Sequence, residues 1–333
     1  MRIGGVAAMS GVLLQSGTRW TSSLPAQMTS QLHELAEVSV AAVLGNGVAV
    51  GALSEIGPKA RVGDGTLVDR YVHVGEGVEV GNGVVLRRGS CVYEGTKIGS
   101  ESSVYQNAIL GNIPQDKKYR GEPTRTEIGQ NSILREGAIV ERGTVQGGGV
   151  TKVGSNVLVM SGVYVGHDCT IGDGCVIGNR TSLAGHCELQ DGVTVGGHAT
   201  LVQHLTLGTE SMVGAQSLLQ RDVIPHTLVS GSPARLRGLN IRRLRKNMDR
   251  RDLWVAIAGF NFIFKNGPLP RGFSLSAGST ESFRSLASRA EALMRAVPTH
   301  SSHRLRTVLS QISEFLIHPS RIGAYSGTGK SFS

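Results

Sequence analysis

Aliphatic residues recur along this chain every six positions, a spacing that fits neither an α-helix nor an ordinary strand. Stepping from Leu44 gives Val50, Ile56, Val62, Val68, Val74, Val80, Leu86, Val92, Ile98, Val104 and Leu110 without a polar interruption. The pattern resumes at Ile128, Leu134 and Val140, and again from Val153 through Val165, Ile171, Leu183 and Leu201 to Leu219. In total, twenty-seven aliphatic residues keep this spacing. The fifth position of each hexad is small or β-branched, as at Val48, Ser54, Ala60 and Thr66, and glycine is frequent at the second.

Six residues hold one short strand and one tight turn, so the pattern predicts a parallel β-helix. The aliphatic residue points inward, the fifth-position residue fills the space beside it, and glycines serve the corners. Three faces make a coil of eighteen residues, with successive coils about 4.8 Å apart. Two segments break the pattern, "GNIPQDKKYRGEPTRTE" at 111–127 and "QGGGVTK" at 146–152. Beyond Ile224 the pattern turns helical, over Asn240–Phe264, Ser282–Ala296 and His303–Ile317, with "KNGPLPRG" between the first two. The expected organisation is an all-β repeat domain over 39–230 and an α-helical C-terminal part over 231–333 that covers the open end of the prism. Residues 1–38 are expected to be a transit peptide or a disordered N-terminus.

Composition agrees: 46 glycines and 5% aromatic residues in 333 suit many turns and thin, regular packing layers. The apolar run "LWVAIAGFNFIF" at 253–264 is too short to span a bilayer, so no transmembrane segment is expected. The first 33 residues lack Asp and Glu, and carry Arg2, Arg19 and many Ser and Thr. That composition favours an organellar, for instance mitochondrial, transit peptide over a secretory signal; without one, the protein would be cytoplasmic. The formal net charge is +9, of which +7 lies in "RLRGLNIRRLRKNMDRR" at 235–251. Such a strip is either a solvated helix face or a docking surface for nucleic acid, membrane or an acidic protein.

The eighteen-residue coil turns sequence into a map. His167 lies at a corner, two residues after Val165, and points outward. Gly185 and Gln203 follow it at one-coil steps, and His186 and His204 form a second such pair. One edge therefore stacks His167, Gly185, His186, Gln203 and His204, which makes chance corner polarity a poorer explanation. A histidine with a neighbouring carboxylate is the usual general base near neutral pH, and His167 with Asp168 fits that role. No metal is expected: zinc-bearing β-helices of the γ-class carbonic anhydrases need three convergent imidazoles, and the spacing of His167, His186, His198 and His204 differs from theirs. Cys169, Cys175 and Cys187 occupy the inward fifth position and read as core filler. The glycine-rich insertion lacks the ending of a phosphate-binding P-loop.

"QDKKYRGEPTRTEIG", "RGTVQGGGVTKVGS" and "HDCTIG…LAGH" together resemble the UDP-N-acetylglucosamine 3-O-acyltransferases, which open lipid A biosynthesis. The resemblance implies a left-handed β-helix, a homotrimer with sites in the grooves between subunits, and transfer of an R-3-hydroxyacyl group from acyl carrier protein to the glucosamine 3-hydroxyl. It implies His167 as base, Asp168 as its orienting group and the Gly185 N–H as oxyanion donor. Asp116, Lys118, His186, Gln203, Asn240 and Lys246 would hold the UDP-sugar, and Ala215 would limit acyl length, where the family has glycine. No cofactor is implied, because the thioester is already activated. The basic strip gains acidic acyl carrier protein as its partner in place of nucleic acid, with Arg242, Arg243, Arg245 and Lys246 steering docking.

Several positions depart from the family: Tyr164 for a second histidine, Val202 for another, Ser232-Pro233 in place of Asn-His, and Lys246 for arginine. Two alternatives stay open, a related hexapeptide N- or O-acyltransferase on another nucleotide sugar and a non-catalytic trimeric scaffold.

Overall fold

In the computed structural model, which describes residues 31–265, 285–298 and 301–317, three parallel sheets form the walls of a prism. Sheet I has twelve strands, sheet II ten and sheet III nine among the described residues, and the chain visits them in turn, as at Leu158–Val159, Tyr164–Val165 and Thr170–Ile171. Neighbouring strands pair at the eighteen-residue offset, for instance Tyr164 with Ser182 and Leu183 with Leu201. Each insertion lengthens one offset without breaking the stack. Cys91 pairs with Ile109, but Ile109 pairs with Ile139 and Ile139 with Tyr164.

Of the twenty-seven in-phase aliphatics, all but Leu44, on an early coil, are buried in one continuous core. At about 2 kcal/mol for each fully buried side chain, this repeated term is what holds so thin a fold together. Cys169, Cys175 and Cys187 are buried and unpaired by disulfides, as the fifth-position reading requires. Burial pushes the Cys175 thiol up to about 12, so it stays protonated.

The glycines work differently from expectation. The left-handed residue of each corner is the fourth of its hexad, for instance Gly174 at φ +64°. Second-position glycines are there for space: a Cβ on Gly178 would sit 2.3 Å from the Gly197 nitrogen of the next coil.

The outward residues distinguish the walls. Sheet III carries an alternating ladder of Arg61, Glu79, Lys97, Glu127 and Lys152, with Lys97 and Glu79 3.1 Å apart. Sheet I instead presents Leu67, Val85, Ile133, Leu158, Val176 and Met212, all at least partly exposed.

The boundaries shift at both ends. Strands begin at Gln31–Leu32, before the expected residue 39, and residues 1–30 of the expected leader lie outside the described residues. Past residue 230, Arg235–Leu239 adds an antiparallel strand to Thr227–Ser230, so the helical part starts later than 231. The helix expected over 240–264 is two, α1 (Ile241–Asn247) and α2 (Arg250–Lys265), with Met248 extended between them. Asp249 interrupts it by capping α2, accepting the Asp252 N–H at 2.8 Å. Next, α3 (Leu286–Ala296) starts at its capping residue Ser285, residues 282–284 lying outside those described. Finally, α4 spans His303–Ile317, as expected.

These helices share a second core with Ile224 from the last coil and Leu239 from the antiparallel strand. A polar cluster ties them down. Glu210 meets His226, Arg243 of α1 and Arg304 of α4, and His226 reaches Gln311 at 2.6 Å. No helix among the described residues is long and apolar enough to cross a membrane.

Candidate active site

The corner between sheets II and III carries the expected histidine column. His167 lies edge-on to His186, ring centroids 5.1 Å apart, and His186 stacks on His204 at 4.5 Å. Asp168, His186 and His204 hold the left-handed turn position at φ 59°, 62° and 62°, which costs roughly 1 kcal/mol each for residues with a Cβ.

His167 leaves the prism at a corner, as expected, but it does not face solvent; it is 8% exposed and Asp168 9%. The second insertion explains this, because residues 144–149 fold over the pair. A Cβ on Gly147 would lie 2.0 Å from Asp168 Cγ. Thr144 donates its N–H to Asp168 Oδ1 at 2.7 Å and its hydroxyl to Oδ2 at 2.6 Å. Thr151 accepts the Asp168 N–H at 2.8 Å, fixing the turn itself. Thr144 and Thr151 went unnoticed in the sequence, although the lengthened offset that follows the second insertion is the signal that places that segment beside Asp168.

His167 Nδ1 lies 2.7 Å from Asp168 Oδ2. A carboxylate only accepts, so the proton sits on Nδ1 and the Nε2 lone pair is free. That is the tautomer a general base needs, held in one orientation by a carboxylate that is itself held by Thr144. His186, 3.8 Å from Asp168, has its pKa lowered by burial, with Asp168 opposing and the other two histidines reinforcing the shift.

Gly185 lies against the imidazole, where a Cβ would meet His167 Cε1 at 2.6 Å and Nε2 at 2.8 Å. At the corner between sheets III and I, third-position amides are capped by the side chain one coil on, as Asp173 N–H is by Asp191 at 2.8 Å. In the histidine column the residue one coil beyond His167 is Gly185 itself, and Gln203 does not reach back to the Gly185 amide. That N–H donates to no protein group among the described residues.

The first insertion passes over the same corner. Asp116 is close enough to His186 to favour its charged form, and it accepts the Lys118 N–H at 2.9 Å. Lys118, Gln203 and His204 are exposed around the column.

Three expected residues lie elsewhere in the single chain. Asn240 caps α1, its side chain accepting from Arg243 N–H at 3.3 Å and donating to the Glu210 carbonyl at 2.9 Å. Lys246 is exposed on α1, while Ala215 is exposed at the corner between sheets I and II. In the basic strip, Arg243 is drawn to Glu210 at 3.3 Å and is not a free surface cation.

His167, Asp168 and His186 bring ligand-type atoms within 4.8 Å of one another. Both Asp168 oxygens and His167 Nδ1 are already engaged in the hydrogen bonds above. This donor set suits orientation of an imidazole better than ligation of a cation.

The family model described as bacterial transferase hexapeptide (six repeats) matches residues 150–185, the stretch holding His167 and Asp168. Among solved structures, the chain resembles Arabidopsis UDP-N-acetylglucosamine acyltransferase with TM-score 0.71 and 27% identity, over 87% of this chain and 98% of that one. It resembles the Campylobacter jejuni UDP-N-acetylglucosamine acyltransferase with TM-score 0.68 and 26% identity, over the same shares, 87% and 98%. LpxA from Acinetobacter baumannii is 34% identical over 71% of this chain and 85% of that one, with TM-score 0.59. With this identity over most of that relative, the chain belongs to the UDP-N-acetylglucosamine acyltransferase family.

Proposed function

We propose that this protein transfers an R-3-hydroxyacyl group from acyl carrier protein to the 3-hydroxyl of UDP-N-acetylglucosamine, the opening reaction of lipid A synthesis. The observation that carries the reading is a buried, oriented imidazole beside an uncapped amide, in a chain of this family. His167 Nε2 takes the proton of the sugar hydroxyl, and the oxygen attacks the thioester carbon. The Gly185 N–H receives the oxyanion, the carbon–sulfur bond breaks, and the imidazolium returns the proton to the carrier sulfur. Asp168 stabilises the imidazolium between these steps.

Asp116, Lys118, His186 and Gln203 bind the UDP-sugar from around this column. Asn240, Lys246 and Ala215 lie on other edges, so they reach the same ligand only from a neighbouring subunit, which fits a homotrimer. The apolar outer columns support that assembly: sheet I and, through Ile109, Ile139 and Tyr164, part of sheet II face partners, while the charged ladder of sheet III faces water. Asn240 also acts from within its own chain as a helix cap. Arg242, Arg245 and Lys246 attract the acidic carrier protein.

The test is incubation with UDP-N-acetylglucosamine and R-3-hydroxyacyl carrier proteins of several chain lengths, locating the new ester by mass spectrometry and NMR. An ester on the 3-oxygen is expected. No product, or product only with a different nucleotide sugar, overturns the assignment. Equal rates with short and long donors remove the acyl-length role of Ala215.

A further inference from the structure

The loop carrying Asp116 and Lys118 is fastened by a carboxylate that the reaction above does not use. Glu141 is 0% exposed, on the strand Ile139–Glu141 of sheet II, and both its oxygens face the Gln115 N–H, at 3.3 and 3.2 Å. Its other neighbour is the Tyr164 hydroxyl, whose pKa is raised by burial and by Glu141. Tyr164 in turn accepts from the Gln115 side chain at 3.3 Å. Next in the chain, Arg142 holds the stem of the same loop. Its N–H meets the Asn112 carbonyl at 3.1 Å, its Nε meets the Gly111 carbonyl at 2.7 Å, and its far nitrogen meets Glu94 at 2.8 Å.

Burying a carboxylate is costly unless hydrogen bonds offset the loss of water. Here the carboxylate meets the Gln115 N–H and the Tyr164 hydroxyl, which itself accepts from the Gln115 side chain, and Gln115 directly precedes Asp116. We propose that Glu141 is a positioning residue for the acceptor: with Tyr164 it latches Gln115 and so fixes Asp116 and Lys118 over the histidine column. The assignment rests on the reading of Asp116 and Lys118 as sugar-nucleotide ligands. It gives Tyr164, a departure from the family pattern, a defined task as the second half of the latch. Because the latch acts on the acceptor loop and touches neither His167 nor the Gly185 amide, its loss changes acceptor binding more than the chemical step.

Hydrogen–deuterium exchange and steady-state kinetics on the full-length chain test this, with Glu141→Ala, Glu141→Gln and Tyr164→Phe. In Glu141→Ala, amides of 111–124 exchange about tenfold faster while those of 165–205 keep their protection, and KM for UDP-N-acetylglucosamine rises about tenfold with kcat and the donor KM nearly unchanged. Glu141→Gln, which keeps one acceptor oxygen, and Tyr164→Phe, which keeps the ring, fall between wild type and alanine. Should the alanine variant fail to fold, these two decide the matter by the same readings. Unchanged exchange in 111–124 overturns the latch. Faster exchange with unchanged acceptor KM, or a loss confined to kcat, overturns the positioning role. The exchange measurement needs no substrate, so it stands even where wild type fails to acylate UDP-N-acetylglucosamine, a result that would overturn the proposed reaction instead.

Discussion

Gly185→Ala displaces the proposed base while leaving the His167 side chain and the Gly185 N–H chemically intact. The added methyl would start 2.6 Å from His167 Cε1 and 2.8 Å from Nε2. Carbon atoms in ordinary contact keep about 3.5 Å or more, so the imidazole must retreat by about 0.9 Å. It has little room to do so. Asp168 holds it at 2.7 Å, Gly147 covers that carboxylate, and His186 stands edge-on at 5.1 Å. A displacement near 1 Å at a reacting group costs about a hundredfold in rate, and that is the expected fall in kcat. Gly185 has no left-handed φ, so alanine adds no backbone strain and the thermal midpoint should stay within a few degrees of wild type. Steady-state kinetics and a melting curve on the same preparation decide it. A kcat within about threefold of wild type would refute the reasoning, because the imidazole could then move freely without consequence.

Asp168→Asn keeps the shape but takes away an acceptor shared by His167 and Thr144, and a fall in kcat of about 10³-fold is expected. Thr144→Val, which leaves one of the two Thr144 bonds, should cost about tenfold, and a reversed order would contradict the support chain. At the helical end, burial opposes the charged form of Glu210, but His226, Arg304 and Arg243 outweigh it and hold the pKa at about 2. A depressed carboxylate pKa adds stability above the unfolded value, about 4.3, and that stability is lost as pH falls from there toward 2. Glu210 contributes about 3 kcal/mol on this count, so Glu210→Gln should flatten the fall of the melting temperature between pH 5 and pH 3, and an unchanged slope would exclude it. The two glycine classes separate in a pair of variants. Gly178→Ala meets the Gly197 backbone at 2.3 Å and should lower the melting temperature sharply. Gly174→Ala meets nothing within 4 Å and should cost only about 1 kcal/mol for its left-handed φ; equal melting curves would contradict the distinction.

The prism was legible in the sequence because a parallel stack repeats one environment: Val165, Leu183 and Leu201 are read by the same rule, and so are the cysteines behind them. The histidine column followed from arithmetic alone, since Gly185 lies one coil from His167 and His204 one coil from His186. Burial of His167 was not legible, because it depends on how the second insertion folds back, and no period governs an insertion. Thr144, Thr151 and Glu141 were missed for the same reason. The function of second-position glycines was misread because a sequence shows the absence of a Cβ without showing whether rotation or room requires it. The end of the strand region was placed too early because Arg235–Leu239 pairs antiparallel, outside the hexad phase. The glycine that would limit acyl length and the sugar contacts came from resemblance, and a single chain places Ala215, Asn240 and Lys246 away from His167.

The most direct test of the account is a single-turnover comparison of wild type and His167→Ala with R-3-hydroxyacyl carrier protein, together with the affinity of each for UDP-N-acetylglucosamine. The account predicts that His167→Ala binds the nucleotide sugar about as well as wild type but forms 3-O-acyl product slower by about 10²-fold or more. Product formed at the wild-type rate by His167→Ala would contradict it.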